Sequence, residues 1–312
     1  MLMTQKSDRV LRIKITGACN MSCNFCHHEG GDKVTPITLA QTDQLASFAH
    51  EFGYTKVHIT GGEPTIHTGL ADIVKIIRSH GLVCSLTSNG QFQPDLLDSL
   101  AEARLDSCNF SCHTVDANQW AKIQKHGNVN YSQSQIERLL NNIKICKEIG
   151  IYTKVNTVVG DNPQSALGVI EALKSLAIEI RLLSLLGSTT SLDNIDSILQ
   201  QLAARKIETV SYKNSSETKV VYQTNAGMVT VKTIANCRLQ TLCEGCTIPC
   251  LEGFYNTRAE AISKEIYIRL CLQNDGANSL MTLAKFRNSP QLKEIIGSSE
   301  IQTSGRVLCG MK

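Results

Sequence analysis

Cys19-Asn20-Met21-Ser22-Cys23-Asn24-Phe25-Cys26 sets three thiols within eight residues, spaced C-x₃-C-x₂-C. The run directly before it, Val10-Leu11-Arg12-Ile13-Lys14-Ile15-Thr16, alternates apolar and polar residues as a strand does. A strand that ends in a loop of closely spaced cysteines can wrap one soft-metal centre, since thiolates are preferred ligands of iron–sulfur clusters and zinc. A closed structural site wants four protein ligands, so a loop offering three leaves a metal position open for another molecule. Zinc is the competing reading, with His27 and His28 next door as further donors.

Working outward, residues 9 to about 186 alternate short β-branched or apolar runs with helical patterns. Strands are expected at Val10–Thr16, Lys56–Thr60, Val83–Thr87, Ser107–Ser111, Tyr152–Val159 and Ile180–Leu185. Helices are expected near Leu39–Phe52, Gly69–His80, Pro94–Ala103, Ser132–Ile149 and Asn162–Leu176. Six strand–helix units argue for an α/β fold, a parallel sheet curved into an incomplete (β/α)6 barrel. Chemistry in parallel barrels gathers at the C-terminal ends of strands. The second strand ends in Thr60-Gly61-Gly62-Glu63-Pro64, where two glycines let the backbone approach a ligand and Glu63 can accept from an ammonium group.

The cysteine loop, followed one strand later by Gly-Gly-Glu-Pro, resembles the radical S-adenosylmethionine (SAM) superfamily. The resemblance implies a 4Fe–4S cluster on Cys19, Cys23 and Cys26, whose fourth iron binds the amino and carboxyl groups of SAM. One electron then cleaves SAM to a 5′-deoxyadenosyl radical. It further implies that Gly61, Gly62, Glu63 and Pro64 hold the methionine amino group. Thr87-Ser88-Asn89-Gly90 resembles the family's Thr-Asn-Gly turn, Ser111 matches a serine that contacts SAM, and Phe25 matches the aromatic beside adenine.

Beyond about residue 190 the pattern changes, so two domains are expected, 1–190 and 191–312. An amphipathic helix around Asn194–Lys206 and a hairpin turning at Asn225-Ala226-Gly227 lead to a second cysteine group, Cys237, Cys243, Cys246 and Cys250. The strand pair Phe254–Ala261 and Glu265–Leu270 then ends at Cys271. Zinc competes here too. Over nearly the whole chain this combination resembles the GTP 3′,8-cyclase family of molybdenum-cofactor biosynthesis. That likeness implies a second, auxiliary 4Fe–4S cluster on Cys243, Cys246 and Cys271, with Cys237 or Cys250 as candidate fourth ligands. It carries nucleotide binding onto Arg12, Thr87 and Lys154. Where the family has an arginine before Ile-Thr-Gly-Gly, this chain has His58. The arginine pair after the auxiliary C-x₂-C is missing at that spacing, with Arg258 and Arg269 the nearby candidates. The distance from Cys246 to Cys271 is longer than the family's, and Leu308-Cys309-Gly310-Met311-Lys312 stands where the family ends in Gly-Gly.

Composition narrows the class. The net charge of +3 on 312 residues is too small to argue for nucleic acid or a membrane surface. Met1-Leu2-Met3-Thr4-Gln5-Lys6 has no apolar signal-like region, and no window approaches eighteen apolar residues. A cytoplasmic protein is expected. Thirteen cysteines, odd in number and clustered, fit metal ligation in a reducing compartment better than disulfides, while Cys84, Cys108, Cys112 and Cys146 read as core residues. The expected function is a radical SAM enzyme with two 4Fe–4S clusters, of lyase or cyclase type, abstracting hydrogen from a nucleotide or nucleoside-type substrate to drive C–C bond formation or rearrangement. The expected partners are a small nucleotide-like molecule, an electron donor such as flavodoxin or ferredoxin, and a second copy in a homodimer. Three alternatives stand: the GTP 3′,8-cyclase itself, a radical SAM peptide maturase, and a non-catalytic metal-binding or redox-sensing protein.

Overall fold

The computed structural model describes residues 2–6, 9–26, 34–124, 128–185, 188, 190–212, 217–234, 236–237, 239–247, 256–274, 276–297 and 303–304. Strands β1 (Leu2–Lys6) and β2 (Val10–Lys14) come first, followed by helix α1 (Leu39–Glu51). Then come β3 (Lys56–Thr60), α2 (Leu70–Ser79), β4 (Val83–Ser88), α3 (Asp95–Glu102) and β5 (Ser107–Ser111). Two helices, α4 (Ala117–Ile123) and α5 (Val129–Glu148), lead to β6 (Tyr152–Val159), α6 (Pro163–Leu173) and β7 (Glu179–Ser184). Helix starts are chemically marked: Thr38 and Gln41 form a capping box on α1, Asn128 caps α5, and Asn162 followed by Pro163 opens α6.

The remaining elements are α7 (Ser191–Gln201), β8 (Arg205–Tyr212), β9 (Glu217–Thr224), β10 (Gly227–Ile234), β11 (Asn236–Cys237) and α8 (Gln240–Cys243). After them come β12 (Asn256–Ile262), β13 (Glu265–Arg269), β14 (Leu280–Thr282), α9 (Leu283–Arg287), α10 (Pro290–Ile296) and β15 (Thr303–Ser304). The expected helix over Asn194–Lys206 is thus shorter, and its last part turns into β8. Ala203, at φ +48°, stops the helix, and the β-branched Ile207, Thr209 and Val210 favour the strand that follows.

Thirteen strands form one sheet in the order β1-β8-β9-β10-β7-β6-β5-β4-β3-β2-β12-β13-β14. From β2 through β7 every neighbouring pair is parallel, the six-stranded core that the sequence rhythm implies. The sheet is open at both ends, so the barrel is not closed. Two strands from past residue 190 join its edges in parallel, β10 beside β7 and β12 beside β2, and antiparallel neighbours extend each side, β9 and β8 beyond β10 and β13 and β14 beyond β12.

One face of the sheet is apolar and covered by helices. Leu11 and Ile13 of β2 and Ile15 just past its end alternate and are fully buried, as are Leu45 and Phe48 of α1, Ile73 and Ile77 of α2, and Leu139 and Ile143 of α5. Cys84, Cys108, Cys112 and Cys146 lie in this core, as expected. Phe48 gathers Phe52, Tyr54 and Phe286 at ring centroids of 4.8, 5.8 and 5.8 Å, so α9 shares the core of the first half. The opposite face is polar and concave. The charge of Lys56 on β3 is felt by Arg181 on β7 and Lys219 on β9. In a flat sheet the four interstrand steps from β3 to β7, each ~4.8 Å, would put them about 19 Å apart. Curvature folds the sheet around a common lumen.

Candidate functional site: a cysteine loop above a cationic concave face

The two signature motifs touch at the ends of β2 and β3. Ile15 N–H donates to Thr60 O, Gly62 N–H to Thr16 O and Glu63 N–H to Ala18 O, each at 2.9 Å, so the parallel ladder continues past the last strand residues. A side chain at Gly62 would overlap the Ala18 carbonyl oxygen and come within 2.7 Å of Gly17 O. The glycine is there to let two loops lie backbone to backbone.

Glu63 is 2% exposed, and its carboxylate is held within the protein. Its Oε1 accepts from Thr65 N–H (3.1 Å), Thr65 Oγ1 (2.7 Å) and Ser88 Oγ (2.8 Å), while Oε2 accepts from Asn89 N–H at 2.7 Å. The carboxylate therefore braces the turn against the end of β4, and an ammonium ligand would share Oε2 with Asn89. Burial pushes its pKa up, opposed by these donors.

The cysteine loop is anchored on two sides. Asn89 Nδ2 donates to Asn20 Oδ1 at 2.7 Å, and Asn20 Nδ2 donates to Gln91 O at 3.0 Å. From the other side, the end of α4 supplies Ile123 O to Asn24 N–H (2.9 Å) and the Gln124 side chain to Ser22 and Cys23. Cys19 and Cys26 are exposed and Cys23 is half-buried. The three thiols sense one another's charge. Burial pushes Cys19 and Cys23 up, opposed by the Met21 N–H at Cys19 and the Gln124 amide at Cys23. Among the described residues, no three His, Cys, Asp or Glu side chains surround a single-ion position. The donor set, three thiols on an accessible loop with backbone amides beside them, suits a thiolate-ligated cluster. Phe25 meets His113 edge to face at 4.8 Å. His113 Nδ1 accepts from Val158 N–H at 3.1 Å, which leaves its ring proton on Nε2, and burial pushes its pKa down to about 4. Ser111 ends β5 half-buried.

The nucleotide candidates fall on the concave face below this loop. Arg258, Arg12 and His58 are register partners across β12, β2 and β3, and Arg269 pairs with Arg258 from β13. Arg12, Lys14, Thr60, Arg258, Glu260 and Arg269 line one cavity. Glu260 binds Arg269 through Nε at 3.0 Å and an Nη at 2.9 Å, both groups being buried. His58, in the place of an expected arginine, contacts Ser85 Oγ at 2.6 Å and Thr87 Oγ1 at 2.9 Å, so Thr87 is engaged by the imidazole.

Further along the face Lys154 lies beside Glu179 (3.8 Å), and Arg181 Nε donates to the same carboxylate at 2.8 Å. Burial, reinforced by Arg181, pushes Lys154 down to about 7, with Glu179 opposing. Burial raises Glu179, but Arg181 and Lys154 outweigh it and hold the carboxyl at about 2. Lys14, Lys56, Arg181 and Lys219 join this face without having been singled out from the sequence. The signal available was alternation: in a strand whose odd residues are core, the even ones face the lumen.

In the second cysteine group, Cys243 closes α8, and Cys246 N–H turns back to Cys243 O at 3.0 Å. Glu294 of α10 caps this short helix, accepting from Gln240 N–H (2.6 Å), Thr241 N–H (3.0 Å) and Thr241 Oγ1 (2.6 Å). Cys271 follows β13, its N–H donating to Ser279 Oγ at 3.0 Å. His27, His28, Cys250 and Cys309 lie outside the described residues, as does the side chain of Cys237.

Comparison with known proteins agrees with this layout. Residues 13–165 match the radical SAM superfamily. A protein of Thermoplasma volcanium named "Probable GTP 3′,8-cyclase" is 28% identical over 256 residues, 76% of this chain and 75% of that protein. Proteins of the same name from Saccharolobus solfataricus and Methanocaldococcus jannaschii are 36% and 34% identical over 56% and 47% of this chain, and 56% and 49% of their own lengths. The matches thus span about half to three quarters of these relatives. Streptococcus suis SuiB, solved bound to S-adenosylmethionine, shares the fold at TM-score 0.59 and 14% identity, over 95% of this chain and 65% of its own. Methylornithine synthase (PylB) does so at 0.50 and 16%, over 62% of each chain. No helix among the described residues is long and apolar enough to cross a membrane. With its cysteine loop zipped to a Gly-Gly-Glu-Pro turn on a parallel half-barrel, the chain is a member of the radical SAM superfamily, with GTP 3′,8-cyclase-like relatives.

Proposed function

We propose that this radical SAM enzyme acts on a polyanionic nucleotide laid along the concave face, between the loop of Cys19, Cys23 and Cys26 and an auxiliary 4Fe–4S cluster on Cys243, Cys246 and Cys271. The observation that carries the reading is the cationic lining. Arg12, Lys14, Lys56, Lys154, Arg181, Lys219, Arg258 and Arg269 come from seven strands of the curved sheet, with Glu179 and Glu260 among them. Such a lumen favours phosphate. When bound, the leading cluster and SAM would supply a one-electron cleavage that yields a 5′-deoxyadenosyl radical, with the electron coming from a donor such as flavodoxin or ferredoxin.

The chain's own residues then bind, orient and shield. The cations at either end of the lumen fix the phosphates, and the apolar wall behind the sheet keeps the floor dry. GTP is the first substrate to test, because the relatives carry the cyclase name. His58, tied to two hydroxyls, is a shorter and weaker anion contact than the guanidinium it replaces. The 191–312 region contributes the auxiliary ligands and Arg258, which makes it the second half of one site. The test is anaerobic reconstitution followed by SAM and dithionite, with and without GTP and other nucleoside triphosphates. We expect 5′-deoxyadenosine, stimulated by nucleotide and abolished by Cys23→Ala. Zinc in place of iron at the leading loop, or no 5′-deoxyadenosine with any nucleotide, would refute the reading.

A further inference from the structure

Gln124 follows the last residue of α4 and is 6% exposed. Both ends of its amide are committed to the cysteine loop. Oε1 accepts from Ser22 N–H at 3.0 Å, and Nε2 donates to Cys23 Sγ at 3.1 Å. The orientation is fixed by chemistry, since a flipped amide would set its NH₂ against the Ser22 N–H. The neighbouring Ile123 carbonyl takes Asn24 N–H at 2.9 Å. One helix end therefore grips three consecutive loop residues and aims one N–H at the sulfur of the middle cysteine.

We propose that Gln124 is a positioning residue that tunes the leading cluster: its N–H···S bond holds Cys23 ready to ligate and makes the cluster easier to reduce. The proposal rests on the reading of Cys19, Cys23 and Cys26 as cluster ligands. A donor on a ligating sulfur withdraws electron density that the thiolate would otherwise give to iron, which stabilises the reduced state. Hydrogen bonds to the sulfurs are among the levers that set these potentials. SAM cleavage begins with an electron on this cluster, so the side chain acts on how readily the reaction starts without touching substrate.

Two variants of the full chain separate this role from simple support. Gln124→Glu keeps an acceptor for Ser22 N–H and removes the donor to Cys23. Gln124→Leu removes both without adding charge. Each is reconstituted anaerobically, its iron counted, and a redox titration followed on the EPR signal that added SAM perturbs. We expect Gln124→Glu to keep wild-type iron, and both variants, where loaded, to shift to more negative potential. At the wild-type midpoint the ratio of reduced to oxidised cluster would fall about tenfold, a shift of about 59 mV for one electron. An unchanged midpoint in a loaded variant overturns the proposal. If neither variant loads, wild-type protein selectively labelled with ¹⁵N in the glutamine side chain decides: pulsed EPR should show a glutamine nitrogen coupled to the reduced cluster, and its absence overturns the tuning role. Wild-type protein that takes up no iron at this loop defeats the cluster reading itself, a failure distinct from an unchanged midpoint.

Discussion

Lys154 gives the concave face a measurable pH signature. Its side chain is 14% exposed, and its ammonium lies 3.8 Å from Glu179 and is pushed down to about 7 by burial and by Arg181. Below that value the side chain is charged, and above it the side chain is neutral. An anion seated against it restores the charge, so binding takes up a proton and weakens as pH rises through 7. If the nucleotide-bound lysine stays protonated, affinity falls about fifteenfold between pH 7 and 8.5, or ~1.6 kcal/mol at 1.36 kcal/mol per pH unit once the free lysine is mostly neutral. Phosphate, with a second pKa of ~6, is about nine-tenths ionised or more across that window and adds little slope of its own. The groups that act on this lysine, namely Arg181, Glu179, Lys219 and Lys56, come from β7, β9 and β3. Glu179, held at about 2, does not titrate in the window. The assay is equilibrium binding of GTP to the full chain at pH 7.0, 7.5, 8.0 and 8.5, beside Lys154→Arg, whose guanidinium stays charged throughout. A flat wild-type profile, or the same slope in Lys154→Arg, would show that Lys154 does not face the phosphates.

Two further outcomes test how the cysteine regions are held. Gly62→Ala sets a methyl against Ala18 C at 2.6 Å and Gly17 O at 2.7 Å, so iron incorporation at the leading loop should fall sharply. Gly81→Ala, with φ +74° and nothing within 4 Å, should cost about 1–2 kcal/mol of stability and leave iron unchanged. Equal iron in both would deny the close approach. Glu294→Ala removes three hydrogen bonds from the start of α8, at a cost of about 0.5–2 kcal/mol in capping. The reconstituted variant should lose iron from the Cys243 and Cys246 region while keeping 5′-deoxyadenosine formation, and full iron content would count against the cap.

Much of the architecture was legible because the parallel core obeys short-range rules. Lys56–Thr60, Ser107–Ser111 and Tyr152–Val159 are strands with the bounds that their β-branched or apolar runs imply, and the hairpin at Gly227 turns at φ +109°. The extension strands β1 and β8 were not legible. Their pairing is decided by partners some two hundred residues apart, Leu2 opposite Glu208 for example, and no local pattern records it. The same holds for Gln124. A glutamine after the short polar helix α4 carries no motif, and only the path of α4 back over the cysteine loop gives it a sulfur to bond. Lys56, Arg181 and Lys219 could not be singled out from the sequence, because alternation reveals which side a residue takes, whereas curvature decides whether that side is solvent or lumen.

The polar residues at the strand ends divide into two jobs that the sequence presents as one. Glu63, Ser88, Asn89 and Asn20 satisfy one another: four donors converge on the Glu63 carboxylate, and the Asn89 amide continues the chain to Asn20. A buried carboxylate with fewer donors would cost several kcal/mol, so this network is rigid, and it fixes the first half of the cysteine loop to the ends of β3 and β4. Gln124 and Ile123 fix the second half from the end of α4. Arg12, Lys154 and their neighbours are arranged differently, with cations gathered on one face and Lys154 depressed by burial and by Arg181 even beside Glu179. Glu179 and Glu260 lie among these cations, and a cluster that still depresses its own lysine would gain from a bound anion. On that distinction the strand-end network is scaffold for the loop, and the concave face is the proposed substrate surface.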